Sequence, residues 1–119
     1  MSKSRLRAYR LGHRAEFWAG LYLRCKGYSV LARRFKTPQG EIDLIAKRGS
    51  MIVFVEVKAR RTAADALDAV GIRSRQRISR AAAWWLAGNN TTGQLSWRYD
   101  VVAILPRRLP THFENVWQD

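Results

Sequence analysis

The chain has 119 residues, 47% of them hydrophobic, so it is long and apolar enough to form one folded domain over residues 1–119 and is not disordered. It carries 22 lysines and arginines against 9 acidic residues, a net charge of +13, which favours a phosphate-rich partner such as nucleic acid. Basic residues interrupt every apolar stretch within residues 1–14, so we expect no signal peptide, and we expect no contact with a membrane.

Cysteine and histidine usage limits the kinds of metal site. Cys25 is the only cysteine, which excludes an intramolecular disulfide and favours a cytoplasmic location. A lone cysteine is more often a small buried hydrophobic residue than a reactive thiol, so we expect Cys25 to be buried. Only His13 and His112 offer imidazole, and both are expected at the surface. Any metal site must depend mainly on oxygen ligands, which favours Mg²⁺ or Mn²⁺ over Zn²⁺.

The N-terminal part of the chain begins with a helical pattern. Apolar residues at helical spacing predict a helix over residues 4–26, and Gly27 stands where a C-terminal cap belongs. Residues 28–35 then predict a short strand, and residues 37–40 predict the turn that follows it.

A β-hairpin is predicted in the middle of the chain. Residues 41–47 and 51–59 alternate with period two on either side of Gly49. In the second of these strands Glu56 and Lys58 share one face, while apolar residues occupy both faces. We therefore expect this strand to be central and covered on each side.

The C-terminal part predicts a second helix and further strands. Residues 61–71 indicate a loop or a weak helical turn, and Ser74 is the expected N-cap of a helix that runs to Ala87. Residues 95–105 predict a long strand, and residues 112–118 a last strand or an extended tail. The order of helix, three strands, helix and two strands indicates an α/β fold with a mixed central β-sheet flanked by helices.

The hairpin also carries the residues with the most specific chemistry. Asp43, Glu56 and Lys58 have the spacing Asp-x12-Glu-x-Lys, and neighbouring strands lie about 4.8 Å apart, so the two carboxylates can converge on one cation. A divalent cation neutralises a phosphodiester and lowers the pKa of its bound water. The ammonium of Lys58 could orient that water and stabilise developing charge. The alternative is a structural ion pair between the acids and the lysine.

These residues resemble the PD-(D/E)xK nuclease superfamily. The chain is more closely similar to the YraN family of small bacterial predicted endonucleases, which are similar to archaeal Holliday junction resolvases. The resemblance covers nearly the whole chain and implies a single nuclease-like domain with a restriction-endonuclease-like core of order α-β-β-β-α-β. The matching segments are residues 12–16, 27–28, 40–46, 54–60, 80–86 and 98–102.

The resemblance also implies roles for individual residues. It implies that Asp43 and Glu56 bind metal, that Glu16 reaches towards the metal from the first helix, and that Lys58 is the catalytic lysine. Members of the superfamily often have a lysine or glutamine on the helix after the catalytic strands, and Gln76 is the best match here. A homodimer is a further expectation, because junction resolvases must cut two strands.

The sequence therefore predicts a Mg²⁺- or Mn²⁺-dependent endonuclease that hydrolyses phosphodiester bonds in DNA, including branched or structured DNA. The alternative is a non-catalytic DNA- or RNA-binding module, which the positive charge alone would also favour. Several arginines are expected to hold phosphates without contacting bases. They are Arg14, Arg60, Arg61, Arg73, Arg77 and Arg80.

The remaining noteworthy residues have structural interpretations. Trp18 and Trp85 lie on the predicted buried stripes of the two helices, and Trp97 lies on an alternating strand, so we expect all three in the core rather than stacked on bases. Asp100 follows Arg98 on the same predicted strand and is expected to form an ion pair with it rather than to act as a third metal ligand.

Overall fold

The predicted order of elements is present in the protein. A computed structural model describes residues 2–119, apart from the side chains of residues 4–12. The elements are α1 (Lys3–Cys25), β1 (Ser29–Thr37), β2 (Gly40–Arg48), β3 (Met51–Ala59), α2 (Ala63–Asp68), α3 (Ile72–Asn89), β4 (Ser96–Ile104) and β5 (Thr111–Trp117). This confirms the α/β class and the α-β-β-β-α-β order. No helix within residues 2–119 is long and apolar enough to cross a membrane.

One mixed five-stranded sheet forms the centre, with the strand order β1-β2-β3-β4-β5. β3 pairs antiparallel with β2 and parallel with β4, and α2 and α3 form the crossover that a parallel pair requires. The edge strands are irregular, because the ladders of β1 and β5 each contain a register shift. Arg34 and Asn115, with φ of 49° and 54°, adopt left-handed backbone conformations in these strands.

The central strand β3 is apolar on both sides because a helix covers each face. Val53 and Val55 point to a core that contains Ala15, Ala19 and Leu23 of α1. Ile52 and Phe54, the residues that alternate with them, point to a core on the α3 side. The latter core also contains Ile42, Ile45, Ile78, Ala81, Ala82, Trp85 and Tyr99.

The start of α3 differs from the prediction. The helix begins at Ile72, with Gly71 rather than Ser74 as its N-cap, and no side chain caps it. The extended backbone of Gly71 (φ −78°, ψ 176°) suits an N-cap, and its carbonyl accepts the first helical hydrogen bond, from the N–H of Arg75. Val70, which is fully buried, fixes the chain just before this point.

Several predictions of burial are wrong. Cys25 is exposed, Trp18 is 53% exposed and Trp97 is 41% exposed, whereas Trp85 is buried as predicted. The cause on α1 is the narrowness of the stripe that faces the sheet. Its small alanines let the helix lie close to the strands, so the wider flank with Trp18 and Cys25 projects beyond the sheet.

His112 was expected at the surface, but its side chain is only 1% exposed because it belongs to a buried polar network. Its Nε2 donates to Oδ2 of the fully buried Asp100 at 2.7 Å, and its Nδ1 contacts Nζ of Lys26 at 2.7 Å. Asp100 also accepts from Nε of Arg98, which confirms the predicted ion pair, and from the N–H of Asn115. Burial alone would raise the pKa of Asp100, but the hydrogen bonds from His112, Arg98 and Asn115 hold it below its usual value.

Candidate functional site

Strands β2 and β3 separate at Asp43. Their pairing runs from the hairpin turn to Leu44 and Val55, which makes Asp43 and Glu56 the next neighbours across the two strands. There the Asp43 side chain takes the place of a backbone acceptor, because its Oδ2 accepts the N–H of Val57 at 2.8 Å. The carboxylate of Asp43 is therefore held beside β3, at the point where the strands part.

A local irregularity of the backbone allows this placement. Ile42 and Ile45 both belong to the core on the α3 side, although residues three apart in a regular strand face opposite sides. The alternation is thus interrupted between them, at Asp43. On the adjacent strand β1, the left-handed Arg34 lies next to the same interruption. At Asp43 the side chain therefore does not follow the regular alternation between the two faces of the sheet, and it can turn towards β3.

Glu56 is in direct contact with Asp43. Burial is the largest cause that raises the pKa of Glu56 from its usual 4.5 to about 9, and the hydrogen bond with Asp43 and the charge of Asp43 add to it. The ammonium of Lys58 lowers the pKa in part, and the charge of Glu16 raises it. At neutral pH Glu56 therefore keeps its proton, because burial and the neighbouring carboxylate disfavour its ionisation when no cation is present.

Glu16 of α1 lies near this pair but is engaged elsewhere. Its Oε2 accepts from Nε of Arg34 at 2.8 Å, and the ion pair is partly buried. The structure thus brings Asp43, Glu56 and Lys58 together, with Glu16 close enough to influence Glu56 electrostatically. Within the described part of the chain, no group of three or more acidic, histidine or cysteine side chains is arranged to hold a metal ion.

The donor set nevertheless fits a hard divalent cation. Mg²⁺ prefers oxygen ligands and is commonly held by one or two carboxylates, with waters and substrate phosphate completing its shell. Asp43 and Glu56 supply two carboxyl groups in contact, and the raised pKa of Glu56 marks a place where positive charge is favourable. Glu16 could join them only by giving up Arg34.

Gln76 lies on the first turns of α3. It is exposed and lines a groove of about 580 Å³ with Ile72 and Trp117. The next residue, Arg77, approaches β2 closely, since a Cβ added to Gly40 would lie 3.0 Å from both the Cβ and the carbonyl oxygen of Arg77.

The arginines predicted to bind phosphates are exposed around the domain. Arg60 and Arg61 follow directly after β3, two and three residues beyond Lys58, and line an open groove with Leu105. Arg73 and Arg80 lie on exposed positions of α3. Two basic and accessible positions therefore follow the candidate catalytic lysine within three residues.

Two features near the site had no sequence signal of their own. The ion pair between Glu16 and Arg34 joins residues from separate elements, and it depends on the left-handed backbone of Arg34. The contact of His112 with Asp100 likewise depends on how β5 pairs with β4. A period-two or helical pattern predicts faces of elements but not such pairings between elements.

Fold and site together define an α/β domain in which a pair of touching carboxylates and a lysine lie where two strands separate. Residues 15–104 match the model of the uncharacterised protein family UPF0102, and the chain belongs to that family. This confirms the resemblance to the YraN family, while its description names no activity.

Relatives in other bacteria are similar over nearly their whole length. A UPF0102 protein of Chelativorans sp. (strain BNC1) is 55% identical over 114 residues, which cover 96% of this chain and 92% of the relative. A UPF0102 protein of Agrobacterium fabrum is 54% identical over 112 residues, which cover 94% of this chain and 92% of the relative. A third UPF0102 protein, from Mesorhizobium japonicum, is 53% identical over 116 residues, which cover 98% of this chain and 93% of the relative.

Proposed function

We propose that this protein is a metal-dependent endonuclease that hydrolyses phosphodiester bonds in DNA, including branched or structured DNA. The contact between Asp43 and Glu56 carries the proposal. Two ionised carboxylates about 4 Å apart would repel by roughly 4 kcal/mol at an effective dielectric of 20, so without a cation Glu56 keeps its proton, which costs stability at neutral pH. A chain with a net charge of +13 gains nothing in phosphate binding from such a pair unless the acids hold a cation against the phosphate.

Asp43 and Glu56 would hold the Mg²⁺ or Mn²⁺ ion, and Glu16 would join them if Arg34 released it. When bound, the cation would neutralise the phosphate and lower the pKa of a bound water. The ammonium of Lys58 already acts on Glu56, so it lies where it can orient a water and stabilise negative charge that develops on the phosphate.

The basic residues support nucleic acid as the substrate. Arg60 and Arg61 extend from the strand that carries Lys58, and Arg77 lies over the start of the strand that carries Asp43. Arginines bind phosphate oxygens bidentately and independently of base sequence, so these positions would align a backbone across the acidic pair. With one cysteine and substrate DNA, the cytoplasm is the expected place of action.

A non-catalytic nucleic-acid-binding module is the second candidate. It is favoured by the ion pair of Glu16 with Arg34 and by the lack of a ready group of three metal ligands among the described residues. In that case the +13 charge would explain binding, and Glu56 would remain protonated without a cation.

The test uses purified protein with duplex, flap, four-way-junction and single-stranded DNA, and the RNA counterparts, in Mg²⁺ or Mn²⁺. Asp43→Ala and Glu56→Ala should abolish cleavage and also abolish the thermal protection that the cation gives, since each removes a ligand. Lys58→Ala should keep the thermal protection and lose cleavage. Glu114→Ala, which removes the same charge from a partly exposed position on β5, should change neither.

Each outcome distinguishes the two candidates. If both acid variants cut as fast as the parent, the cleavage activity comes from a contaminating nuclease. A non-catalytic nucleic-acid-binding module then becomes the better-supported function. If the parent gains no thermal protection from either cation and cuts none of the substrates, the metal site is refuted while nucleic-acid binding stays measurable by itself.

A further inference from the structure

An apolar groove lies between α1 and the loop that joins β4 to β5. Its volume is about 520 Å³, within the range of roughly 300–1,000 Å³ typical of pockets that enclose a ligand. Trp18 and Leu21 form the helix side, and Leu109 and Pro110 form the loop side. The groove is thus built from two elements that the proposed nuclease site does not use.

The apolar side chains of this groove are unusually accessible. Trp18 is 53% exposed, Leu21 is 41% exposed and Leu109 is 81% exposed. Leu109 is presented by a loop with proline on either side at positions 106 and 110 and a left-handed Arg107 (φ 56°). A contiguous exposed apolar surface between rigid walls marks an interaction site more often than an ordinary part of a protein surface.

The charges around the groove specify the occupant. Among the residues whose side chains the structure describes, the charged ones that line the groove are Arg14 and Arg108, and both are positive. A second copy of the chain would place these arginines against each other in molecules that each carry +13, which Coulomb repulsion disfavours. The aliphatic walls, Leu21 and Leu109, offer no hydrogen-bond partners to the polar edges of a nucleic-acid base.

The groove also leaves the nuclease site open. Arg14, Trp18, Leu21 and Cys25 are spaced by three or four residues, so they form one stripe of α1. Glu16 lies outside this stripe, beyond the residues that face the sheet, where it pairs with a residue of β1. An occupant of the groove would therefore bind one flank of the helix while the acidic pair on the other side remains accessible.

We propose that this groove binds an extended acidic segment of a partner protein. Its apolar side chains would insert between Trp18 and Leu109, and its carboxylates would pair with Arg14 and Arg108. Charge-assisted pairs at the rim around an apolar centre are the usual arrangement of peptide recognition sites. The partner would tether the domain without contributing to the nuclease site.

The test measures binding of a short fluorescein-labelled peptide, in which aspartate alternates with leucine and phenylalanine, to the full chain by fluorescence anisotropy. A peptide with asparagine in place of aspartate should bind at least about tenfold more weakly, and so should one with serine in place of the apolar residues. Equal affinity for all three peptides would overturn the proposal, as would no detectable binding of the first.

Variants locate the site. Trp18→Ala and Leu109→Ser should each weaken peptide binding by about tenfold. Because Leu109 is 81% exposed, its replacement leaves the fold intact. Trp84→Ala is the matched control, since Trp84 is 54% exposed on α3, away from the groove, and its removal should leave peptide affinity unchanged. A loss of affinity that is equal for Trp84→Ala would contradict the assignment.

Cys25 provides an independent readout because it is the only cysteine, is exposed and lines the groove. The peptide should slow its reaction with a maleimide, and an unstructured oligothymidine should not. Protection by the oligonucleotide but not by the peptide would make the groove a nucleic-acid surface. A dimer in sedimentation that Leu109→Ser dissociates would make it an interface between two copies. Either result would overturn the proposal.

Discussion

Ionisation of Glu56 is unfavourable in the folded protein, and its neighbours offset only part of the cost. Burial and the contact with Asp43 oppose its ionisation, and Lys58 compensates for only part of that cost. The pKa in the folded protein, about 9, is above the usual 4.5, so the unfolded chain releases the proton more easily. Stability is therefore fully present below pH 4.5 and decreases as pH rises towards 9.

Glu56→Gln should stabilise the protein in the absence of divalent cations. An amide cannot ionise, yet it can still donate a hydrogen bond to Asp43, so the cost of keeping the side chain protonated above its usual pKa disappears. We expect the free energy of unfolding to rise by about 1–3 kcal/mol at roughly pH 8 and by much less near the usual pKa of the side chain. Urea unfolding in the presence of a chelator, at both pH values, measures this difference.

Glu114→Gln is the control, because Glu114 is about half exposed and the change there should remain within roughly 0.5 kcal/mol at either pH. A Glu56→Gln variant that is less stable than the parent at both pH values would show that Glu56 forms a stabilising ion pair. The structural interpretation of the acidic pair would then replace the metal site.

At the scale of elements, the close approach of α3 to β2 positions the start of the strand that carries Asp43. Gly40→Ala would place a Cβ 3.0 Å from backbone and Cβ atoms of Arg77, so α3 or β2 must shift. We expect a loss of about 1–3 kcal/mol in thermal or urea unfolding, together with reduced cleavage, because overpacking displaces the strand.

Gly88→Ala is the contrasting change within the same helix. An added Cβ at Gly88 meets no atom within 4 Å, and alanine favours a helix by about 1 kcal/mol over glycine. This variant should be slightly more stable than the parent and equally active. Equal effects of the two substitutions would mean that contact with Arg77 is not what makes glycine necessary at position 40.

The buried network around Asp100 fastens β5 and the end of α1 to β4. Asp100→Asn should cost about 3–5 kcal/mol, because the largely buried Arg98 would lose its buried carboxylate partner and keep only the half-exposed Glu114. The folded-state pKa of Asp100 is below its usual 3.8, so its stabilisation is present above that value and is lost as pH falls through the lower one. Acid unfolding should begin below about pH 4 and be less steep in the variant. Circular dichroism against pH would check both, and a variant as stable as the parent at neutral pH would contradict the role of the network.

The elements could be predicted because their signals are local. The alternation of β3 and the helical spacing of α1 and α3 depend on neighbours in the chain, and all five strands are present. Burial on α1 could not be predicted in the same way. Which flank of the helix faces the sheet depends on packing against β3, and this left Trp18 and Cys25 exposed.

The candidate site was likewise predictable where neighbours follow from the hairpin and unpredictable where they depend on contacts between separate elements. Asp43, Glu56 and Lys58 were predicted to meet because a hairpin makes its two strands neighbours, and the structure brings them together. The pairing of Glu16 with Arg34 required knowledge of a left-handed residue in β1, for which the sequence has no glycine or asparagine signal. The roles of these residues in metal binding and catalysis stay predictions.

At the scale of the whole molecule, the excess of positive charge predicts how nucleic-acid affinity depends on salt. With about six phosphate contacts from exposed arginines, log K should fall against log salt concentration with a slope of roughly −5. The slope should be similar for unrelated sequences, since the arginines bind the backbone. Fluorescence anisotropy across a salt series measures it, and affinity that does not change with salt would contradict both nucleic-acid functions.

The two irregular edges of the sheet limit how copies of the chain can associate. An edge strand with free N–H and C=O groups is a template on which another strand can pair, and bulges and basic side chains prevent this. β1 and β5 each combine a register shift with a left-handed residue, Arg34 and Asn115. The joining of two sheets into one continuous sheet is therefore disfavoured. The homodimer expected from the resemblance would have to form through helices or loops, and a crowded solution of the protein should resist amyloid-like stacking.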